Sequence, residues 1–411
     1  MIGIGLGISP CVLAAPNAPL TTLYHVIITG QSNGTGADAP VYTGPANGLM
    51  FNGGLRPGGD TSIMTSLVQL QDALTDDASG DVGDEGQTVA STLVNFLSAQ
   101  NIPHAQFMVS NVAVDGYGYL GLCQGTQPYN DSLTQVAQAK ALATARGWKY
   151  AVLGVCAVHG EDDDAIGSAG GPPGWYATDL QTWQSDYQTD IQAITGQETD
   201  IPLFISQCST PGDYAHSDNL DYSTSINGWQ ASRANSLVIM ASPSAPIVDM
   251  FRSPHWNSAS YMILGEYFGK AIWRVVLQSS SIWKGVYPTN ATLTGDTIVI
   301  NFAAQVGPLA FDYSTGIKSL IAGFEYVDST SSAAVLSASL TGPLQVTVTL
   351  TATPSGSSPQ IRYSTLSSND VPYGSDKRLQ SGVCLVDSDT TPSSTGEWTL
   401  RNYCPAFYFD L

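Results

Sequence analysis

The chain has 411 residues, with 14 Lys and Arg against 34 Asp and Glu, which gives a formal net charge of −20. Hydrophobic residues make up 43% of the sequence and aromatic residues 9%, enough to build a large core, and this excludes intrinsic disorder. A strongly acidic surface repels phosphate backbones, so a nucleic-acid partner is not expected. No uninterrupted apolar stretch reaches the length of about 18 residues that a membrane span needs.

Residues 1–21 precede the first predicted strand and form an N-terminal arm or a leader. The segment is apolar and ends in small residues, as a signal peptide does, but no Lys or Arg precedes Arg56 and three glycines interrupt the apolar run. A flexible or assembly-forming arm is the favoured interpretation, and a signal peptide is the alternative.

Residues 22–279 alternate short apolar runs with longer helix-like stretches. The apolar runs do not alternate strictly with polar residues, which is typical of parallel strands that helices cover on both faces, so an open α/β domain is predicted. The predicted strands are Tyr24–Thr29, Ala105–Val114, Tyr150–Val158, Ile201–Gln207 and Ser236–Met240, and the predicted helices are Gln87–Gln100, Tyr129–Arg146, Tyr176–Gly196 and Ser258–Leu277.

Residues 280–411 have a different character. Short runs rich in Val, Ile, Thr and Tyr alternate with turns rich in Ser, Thr, Gly and Pro, and no helical periodicity is convincing. This pattern predicts a small all-β sandwich as an accessory domain. The predicted strands are Thr297–Phe302, Gln345–Leu350, Gln360–Tyr363, Cys384–Val386 and Ala406–Phe409. The six cysteines are too sparse for a disulfide scaffold, and whether Cys384 and Cys404 pair is left open.

The first predicted strand ends in Gly30-Gln31-Ser32-Asn33-Gly34. Ligands of open α/β sheets bind beyond the carboxyl ends of the strands, so Ser32 lies where chemistry is usually performed. The five residues also match the G-x-S-x-G elbow of α/β-hydrolases. Only 31 residues precede Ser32, whereas those enzymes build several strands before their nucleophile, so that fold is not expected.

Three later segments follow this motif in order, each after or beside a predicted strand or helix: Val109–Tyr117, Leu153–Asp162 and Ser253–Asn257. Together with Gly30-Gln31-Ser32-Asn33 they resemble the sequence blocks of the SGNH (GDSL-type) hydrolases. The particular resemblance is to the branch with a GQSN first block, which includes sialate O-acetylesterases and acetylxylan esterases. It covers residues 22–277 and implies a flavodoxin-like, three-layer domain with a parallel sheet.

The resemblance implies a role for each block. Ser32 would be the nucleophile and His255 the general base that takes its proton. The oxyanion hole would consist of the Ser32 amide, the Gly116 amide and the side chain of His159, which stands where the relatives carry an amide residue. A neutral imidazole still donates one N–H, so this role survives the exchange.

The third member of the catalytic triad is the weakest element of the pattern. Most SGNH hydrolases carry an aspartate two or three residues before the histidine, where this chain has Arg252 and Ser253. Asp249 is the first candidate acid, and Glu161 or Asp162 could approach from the third block. Alternatively, a backbone carbonyl orients the imidazole of a Ser–His dyad. None of these arrangements needs a metal or a cofactor.

The other chemistry-bearing residues have simpler interpretations. His25 is predicted to pack inside the first strand, and His104 and His216 to lie at the surface. The acidic run Glu161–Asp164 matches no calcium-binding spacing, and a solvated loop is favoured. Residues 116–121 match G-x-G-x-x-G, but no acidic residue follows at the distance that a dinucleotide site requires.

The same resemblance suggests an acetylated carbohydrate as substrate. Aromatic residues near the blocks would suit stacking on sugar rings, with simple packing as the alternative; they are Tyr117, Tyr119, Trp175, Tyr176 and Trp256. The glycine-laced start, the scarcity of Lys and Arg and the β-rich tail resemble virion-associated esterases of bacteriophages that deacetylate bacterial surface polysaccharide. An extracellular or virion-associated location and a homotrimer would fit.

Two rival functions are open. One is a non-catalytic carbohydrate-binding or structural protein on the same scaffold, which the altered third block and the missing aspartate favour. The other is an SGNH lipase or esterase for longer acyl chains.

Overall fold

The computed structural model describes residues 20–36, 43–72, 86–166, 170–208, 219–244, 250–252, 255–278, 285–313, 321–365 and 384–411. A seven-stranded, mostly parallel sheet forms the centre of the N-terminal region. Its strands are β1 (Thr22–Gly30), β2 (Gly48–Phe51), β3 (Leu67–Gln69), β4 (Ala105–Asn111), β5 (Lys149–Val158), β6 (Leu203–Gln207) and β7 (Val238–Pro243). Their order is β3-β2-β4-β1-β5-β6-β7, and only β3 runs antiparallel to its neighbour.

Helices cover both faces of this sheet. They are α1 (Ser32–Thr35), α2 (Ala90–Ala99), α3 (Tyr119–Leu122), α4 (Gln127–Ala145), α5 (Glu161–Ile166), α6 (Trp175–Thr195), α7 (Thr224–Ala234) and α8 (Ser258–Ile272), the last continued by a π-helical turn, Trp273–Leu277. Along β1, Val26 and Ile28 pack in the core with α2 and α8, whereas Ile27 packs in the core with α4 and α6. The continuous apolar run of β1 is therefore buried on both sides, as its sequence predicts.

The five predicted strands and four predicted helices of this region are all present, with ends that differ by a few residues. The sequence did not predict the short helices α1, α3 and α5, nor β2, β3 and α7. β2 and β3 are too short to show a pattern, and α7 begins within a polar stretch in which no apolar periodicity stands out. None of the helices in the described ranges is both long and apolar enough to cross a membrane.

The C-terminal region consists of separate antiparallel sheets, and its described residues from 285 onward contain no helix. One sheet has the order β10-β11-β15-β14, a second β13-β16-β18, and β12 pairs with β17. The strands are β10 (Val286–Thr294), β11 (Thr297–Ala304), β12 (Ala310–Phe311), β13 (Phe324–Val327), β14 (Val335–Gly342), β15 (Gln345–Leu350), β16 (Gln360–Tyr363), β17 (Leu385–Val386) and β18 (Phe407–Asp410). Separate antiparallel sheets are present in the described residues, and the all-β sandwich and the boundary at 279–280 stay predictions.

The C-terminal sheets pack against helices of the N-terminal region. Trp229 of α7 shares a core with β10, β11 and β15, and Leu400 and Tyr403 share a core with α2 and α8. Cys384 and Cys404 are both buried, and neither forms a disulfide. The C-terminal region therefore supports α8, which begins three residues after His255.

Candidate active site

The loop after β1 brings Ser32 to the carboxyl edge of the sheet. Gly30 has a φ of +135°, and a Cβ at this position would lie 2.0 Å from the carbonyl oxygen of Val158. Only glycine therefore allows β1 to end this close to β5. Ser32 opens the short helix α1, so its amide N–H has no acceptor within that helix. The Ser32 residue is 6% exposed.

The side chain of Gln31 ties the first block to the third. Its Oε1 accepts the backbone N–H groups of Gly160 at 3.0 Å and of Asp162 at 3.1 Å. The backbone N–H of Gln31 donates to the carbonyl oxygen of Val158 at 3.2 Å. Gln31 is buried, so its amide is a structural part of the site that the sequence pattern contained but that we did not assign.

Asn111, at the end of β4, connects the second block to the same loop. Its Nδ2 donates to the carbonyl oxygen of Gly34 at 2.8 Å, and its Oδ1 accepts the Ala113 N–H at 2.8 Å. The chain then turns at Gly116, which is exposed and has a φ of +69°. Within the described residues, no group accepts the Gly116 N–H. This amide is therefore free for a ligand, and its predicted role in the oxyanion hole stays a prediction.

His159 follows β5 and is buried. Its Nδ1 lies 2.8 Å from the Tyr176 hydroxyl, and its Nε2 lies 3.2 Å from Oδ2 of Asp163 without hydrogen-bond geometry. Burial lowers the pKa of His159 to about 4, although the charge of Asp162 opposes this shift. The imidazole is therefore neutral at physiological pH. Whether its Nε2 donates to an oxyanion stays a prediction.

The acidic run of the third block is not the solvated loop that the sequence favoured. It forms α5, in which Glu161, Asp163 and Asp164 are buried. Asp163 accepts the Tyr119 N–H at 2.8 Å, and Asp164 accepts the Thr224 N–H at 2.9 Å. The prediction was wrong because backbone N–H groups take the place of water as hydrogen-bond donors to these buried carboxylates. No three His, Cys, Asp or Glu side chains of the described ranges come together in a way that could hold a metal ion.

Glu161 is the carboxyl with the most strongly altered titration in this block. Burial raises its pKa to about 7, the charges of Asp162 and Asp164 act in the same direction, and a hydrogen bond from Asn33 opposes them. Replacing Glu161 by glutamine is therefore expected to stabilise the protein increasingly as the pH rises from about 4.5 to about 7. In this window the unfolded wild type is ionised at this position while the folded state still holds the proton, so wild type alone loses about 3 kcal/mol. Denaturant unfolding of both proteins at several pH values measures the difference.

The matched control for this experiment is Glu198→Gln, because Glu198 is exposed. Its stability relative to wild type is expected to stay constant over the same pH range. A difference between wild type and Glu161→Gln that does not grow with pH would contradict the burial argument.

His255 lies in the two-residue strand β9 (His255–Trp256), which pairs with β8 (Met250–Arg252) and packs beside α1. The residue is half-buried. Burial raises the pKa of Asp162, and the electrostatic influence of His255 is among the smaller effects that oppose this shift. No hydrogen bond joins the Ser32 and His255 side chains in the part of the chain that is described. Catalytic hydrogen bonds often tighten only when substrate binds, so this leaves the pairing of nucleophile and base a prediction.

The other candidate residues fall into three groups. His25 is buried between the Tyr150 and Ser110 hydroxyls, at 2.7 and 2.9 Å, which confirms that it packs in β1. His104 is exposed, as expected. Asp249 and His216 lie outside the described residues, so the first candidate acid stays a prediction.

Most of the aromatic residues suggested for sugar stacking are packed instead. Four of the five are buried, namely Tyr119, Trp175, Tyr176 and Trp256. Tyr117, directly after Gly116, is 43% exposed. It is therefore the aromatic side chain of this set that a ligand can reach.

The structure is similar to that of a carbohydrate acetylesterase from Xanthomonas citri, with a TM-score of 0.59 and 15% identity over 94% of this chain and 80% of that chain. It also aligns with NanS (TM-score 0.45, 16% identity, 64% of this chain and 100% of that chain). A third alignment is with a protein from Arabidopsis thaliana (TM-score 0.44, 14% identity, 62% of this chain and 99% of that chain). The first similarity shows a common fold, and the other two are too low to support an argument. No protein-family model and no curated protein sequence matches the chain.

Proposed function

We propose that this chain is a serine esterase of the SGNH type that removes O-acetyl groups from carbohydrate. The observation that carries the proposal is the meeting of three separate sequence blocks at one edge of the sheet. Ser32 follows β1, the free amide of Gly116 follows β4, and β9 with His255 packs beside the helix that Ser32 opens. The shared fold with a protein described as a carbohydrate acetylesterase supports the same reaction class.

The proposed reaction proceeds in two steps. The Ser32 oxygen attacks the acetyl carbonyl while His255 takes the hydroxyl proton, and the negative oxygen of the tetrahedral intermediate receives the amide N–H groups of Ser32 and Gly116. When the intermediate collapses, the C–O bond to the sugar breaks and the imidazolium gives its proton to the leaving alkoxide. Water, deprotonated by His255, then attacks the acetyl-serine and releases acetate and the free serine.

The imidazolium needs an acceptor that orients it. Asp249 and a backbone carbonyl remain proposals, beside Glu161 and Asp162 of the third block. Of the acidic residues in the third block, Asp162 has the stronger support. Its carboxyl is within electrostatic reach of His255, and its Oδ2 is buried with no hydrogen-bond partner among the described residues. Its backbone is also held by Gln31, next to the nucleophile.

The proposed substrate is a bacterial surface polysaccharide. The exposed ring of Tyr117 lies one residue from the Gly116 amide, where it would stack on the sugar that carries the acetyl group. An extracellular or virion-associated location belongs to the same proposal and is supported by the sequence likeness alone.

An acetyl ester is expected to be a better substrate than an octanoyl ester, by about tenfold or more in kcat/KM. The exposed residues of the second block include Asp115 and Gly116, which offer no apolar surface to a long chain. A lipolytic site would show the opposite order, because each additional buried methylene contributes about 0.8 kcal/mol. The measurement compares aryl acetate with aryl octanoate and detects released acetate directly. Preference for the octanoyl ester would contradict the proposal of a sugar deacetylase.

A further inference from the structure

The hydroxyl of Tyr261, in α8, lies between the two segments that carry the proposed base and nucleophile. It accepts the backbone N–H of Trp256 at 3.4 Å and donates to Oδ1 of Asn33 at 2.9 Å. Trp256 directly follows His255, and Asn33 directly follows Ser32. One side-chain oxygen therefore links the residue after the base to the residue after the nucleophile.

These contacts are shielded from water. Tyr261, Trp256 and Asn33 are each at most 1% exposed. The rings of Tyr261 and Trp256 also pack against each other, with centroids 5.3 Å apart. A hydrogen bond between buried groups cannot be replaced by one to solvent, so the position of each group depends on the other two.

The link continues into the third block. The first block is in turn tied to the third, because Oε1 of Gln31, two residues before Asn33, accepts the backbone N–H groups of Gly160 and Asp162 at the start of α5. Three of the four sequence blocks are therefore joined at the loop after β1, and Tyr261 is the one member of this chain of contacts that lies outside all four blocks.

We propose that Tyr261 is a positioning residue, whose hydroxyl holds the His255 strand in register with the Ser32 loop. The proposal rests on the esterase function proposed above and names a further residue that this reaction depends on. Attack on the acetyl carbonyl requires the nucleophile and the base to be placed within a fraction of an ångström, and a misplacement of about 1 Å lowers the rate about 10²-fold. Tyr261 acts through His255 and Ser32 and does not itself touch the reacting atoms.

The packing of α8 does not depend on this hydroxyl. Asn257 caps the helix by accepting the Ser260 N–H at 3.0 Å, and the buried Lys270 and Glu266 tie its other end to the C-terminal region. Replacing Tyr261 by phenylalanine keeps the ring and removes the hydroxyl that forms the link. The variant is therefore expected to fold.

The test compares Tyr261→Phe with Tyr267→Phe. Tyr267 lies on the same helix, is 2% exposed, and donates its hydroxyl to the carbonyl oxygen of Arg401 at 2.7 Å, away from the four blocks. Each variant loses one buried tyrosine hydroxyl and the hydrogen bond that it donates, and Tyr261→Phe also loses the bond accepted from Trp256. For Tyr261→Phe we expect kcat for an acetyl ester to fall about 10- to 100-fold with KM nearly unchanged. For Tyr267→Phe we expect kcat to stay within about twofold of wild type, even if its melting temperature falls as far as that of Tyr261→Phe.

A double-mutant cycle with Asn33→Ala supplies a second readout. If the two residues act through one bond, the double variant is expected to lose no more activity than the worse single variant. Additive losses, or equal kcat in Tyr261→Phe and Tyr267→Phe, would overturn the positioning role while the esterase function stands. A wild type that hydrolyses no acetyl ester would overturn the function and this inference together.

Discussion

Replacing Ser32 by alanine is expected to lower kcat/KM for an acetyl ester by about 10⁴-fold or more, with the fold intact. The substitution removes the only atom that can form the acyl-enzyme in the proposed mechanism. It leaves the backbone amides in place, so a small residual rate is expected from oxyanion binding. The measurement is acetate release by wild type and variant at equal concentration, with melting temperatures recorded in parallel.

Ser185→Ala is the matched control, because Ser185 is exposed on α6 and contributes only its backbone carbonyl to the bond from Thr189. It is expected to behave as wild type. His255→Ala is expected to lose as much activity as Ser32→Ala, and the double variant no more than either, because nucleophile and base act as a unit. Full activity of Ser32→Ala would refute the nucleophile, and no activity in wild type would favour the rival binding protein.

The fold was predictable from the sequence where burial leaves a pattern. The apolar run of β1 lies between two helical layers, and this is why it contains no alternation. Long helices such as α4 and α6 were found within two residues of their ends. Short strands such as β2 and β3 show no periodic pattern, because a period cannot be recognised in three or four residues.

The candidate site was predictable only in part, because its polar contacts join residues far apart in the chain. Nothing in the local sequence of Gln31 indicates that its side chain accepts two N–H groups from residues 160–162. Tyr261 likewise reads as one more apolar position of an amphipathic helix, and its bond to Asn33 spans 228 residues. Such partners become visible only when the fold brings them together.

The misreading of α5 has the same origin. Four successive acidic residues predict a hydrated surface, because isolated carboxylates are rarely buried. In the fold, Asp163 and Asp164 each meet a backbone N–H from a distant segment, and this compensates for the lost water. The aromatic residues show the reverse case. Their sequence positions suggested ligand contacts, but Trp175 and Tyr176, at the start of α6, pack in the core.

Replacing Lys270 by methionine is expected to lower the free energy of unfolding by about 3–5 kcal/mol. Lys270 is fully buried on α8, donates to the carbonyl oxygen of Leu400 and, at 2.8 Å, to Oδ1 of Asn402, and lies 3.2 Å from Oδ2 of Asp389. Methionine fills the same space and removes the charge, so Asp389 keeps a buried negative charge without its cation. Denaturant unfolding at neutral pH measures the loss.

Two further variants show whether the loss comes from the stranded charge. Lys140→Met removes a lysine that is only partly buried and donates to one carbonyl oxygen, so a loss of about 1 kcal/mol is expected. Asp389→Asn in the Lys270→Met background removes the unpaired charge and keeps an oxygen for the Thr391 contacts, so part of the stability is expected to return.

Burial lowers the pKa of Lys270 to about 8, so above that pH the folded protein holds a neutral amine while the unfolded chain still binds the proton up to its ordinary pKa. The wild-type contribution of Lys270 therefore becomes more favourable as the pH rises from about 8 to about 10, and the deficit of Lys270→Met is expected to widen over that range. A deficit that is small at neutral pH and does not change with Asp389→Asn would show that the C-terminal region docks on α8 through its apolar contacts alone.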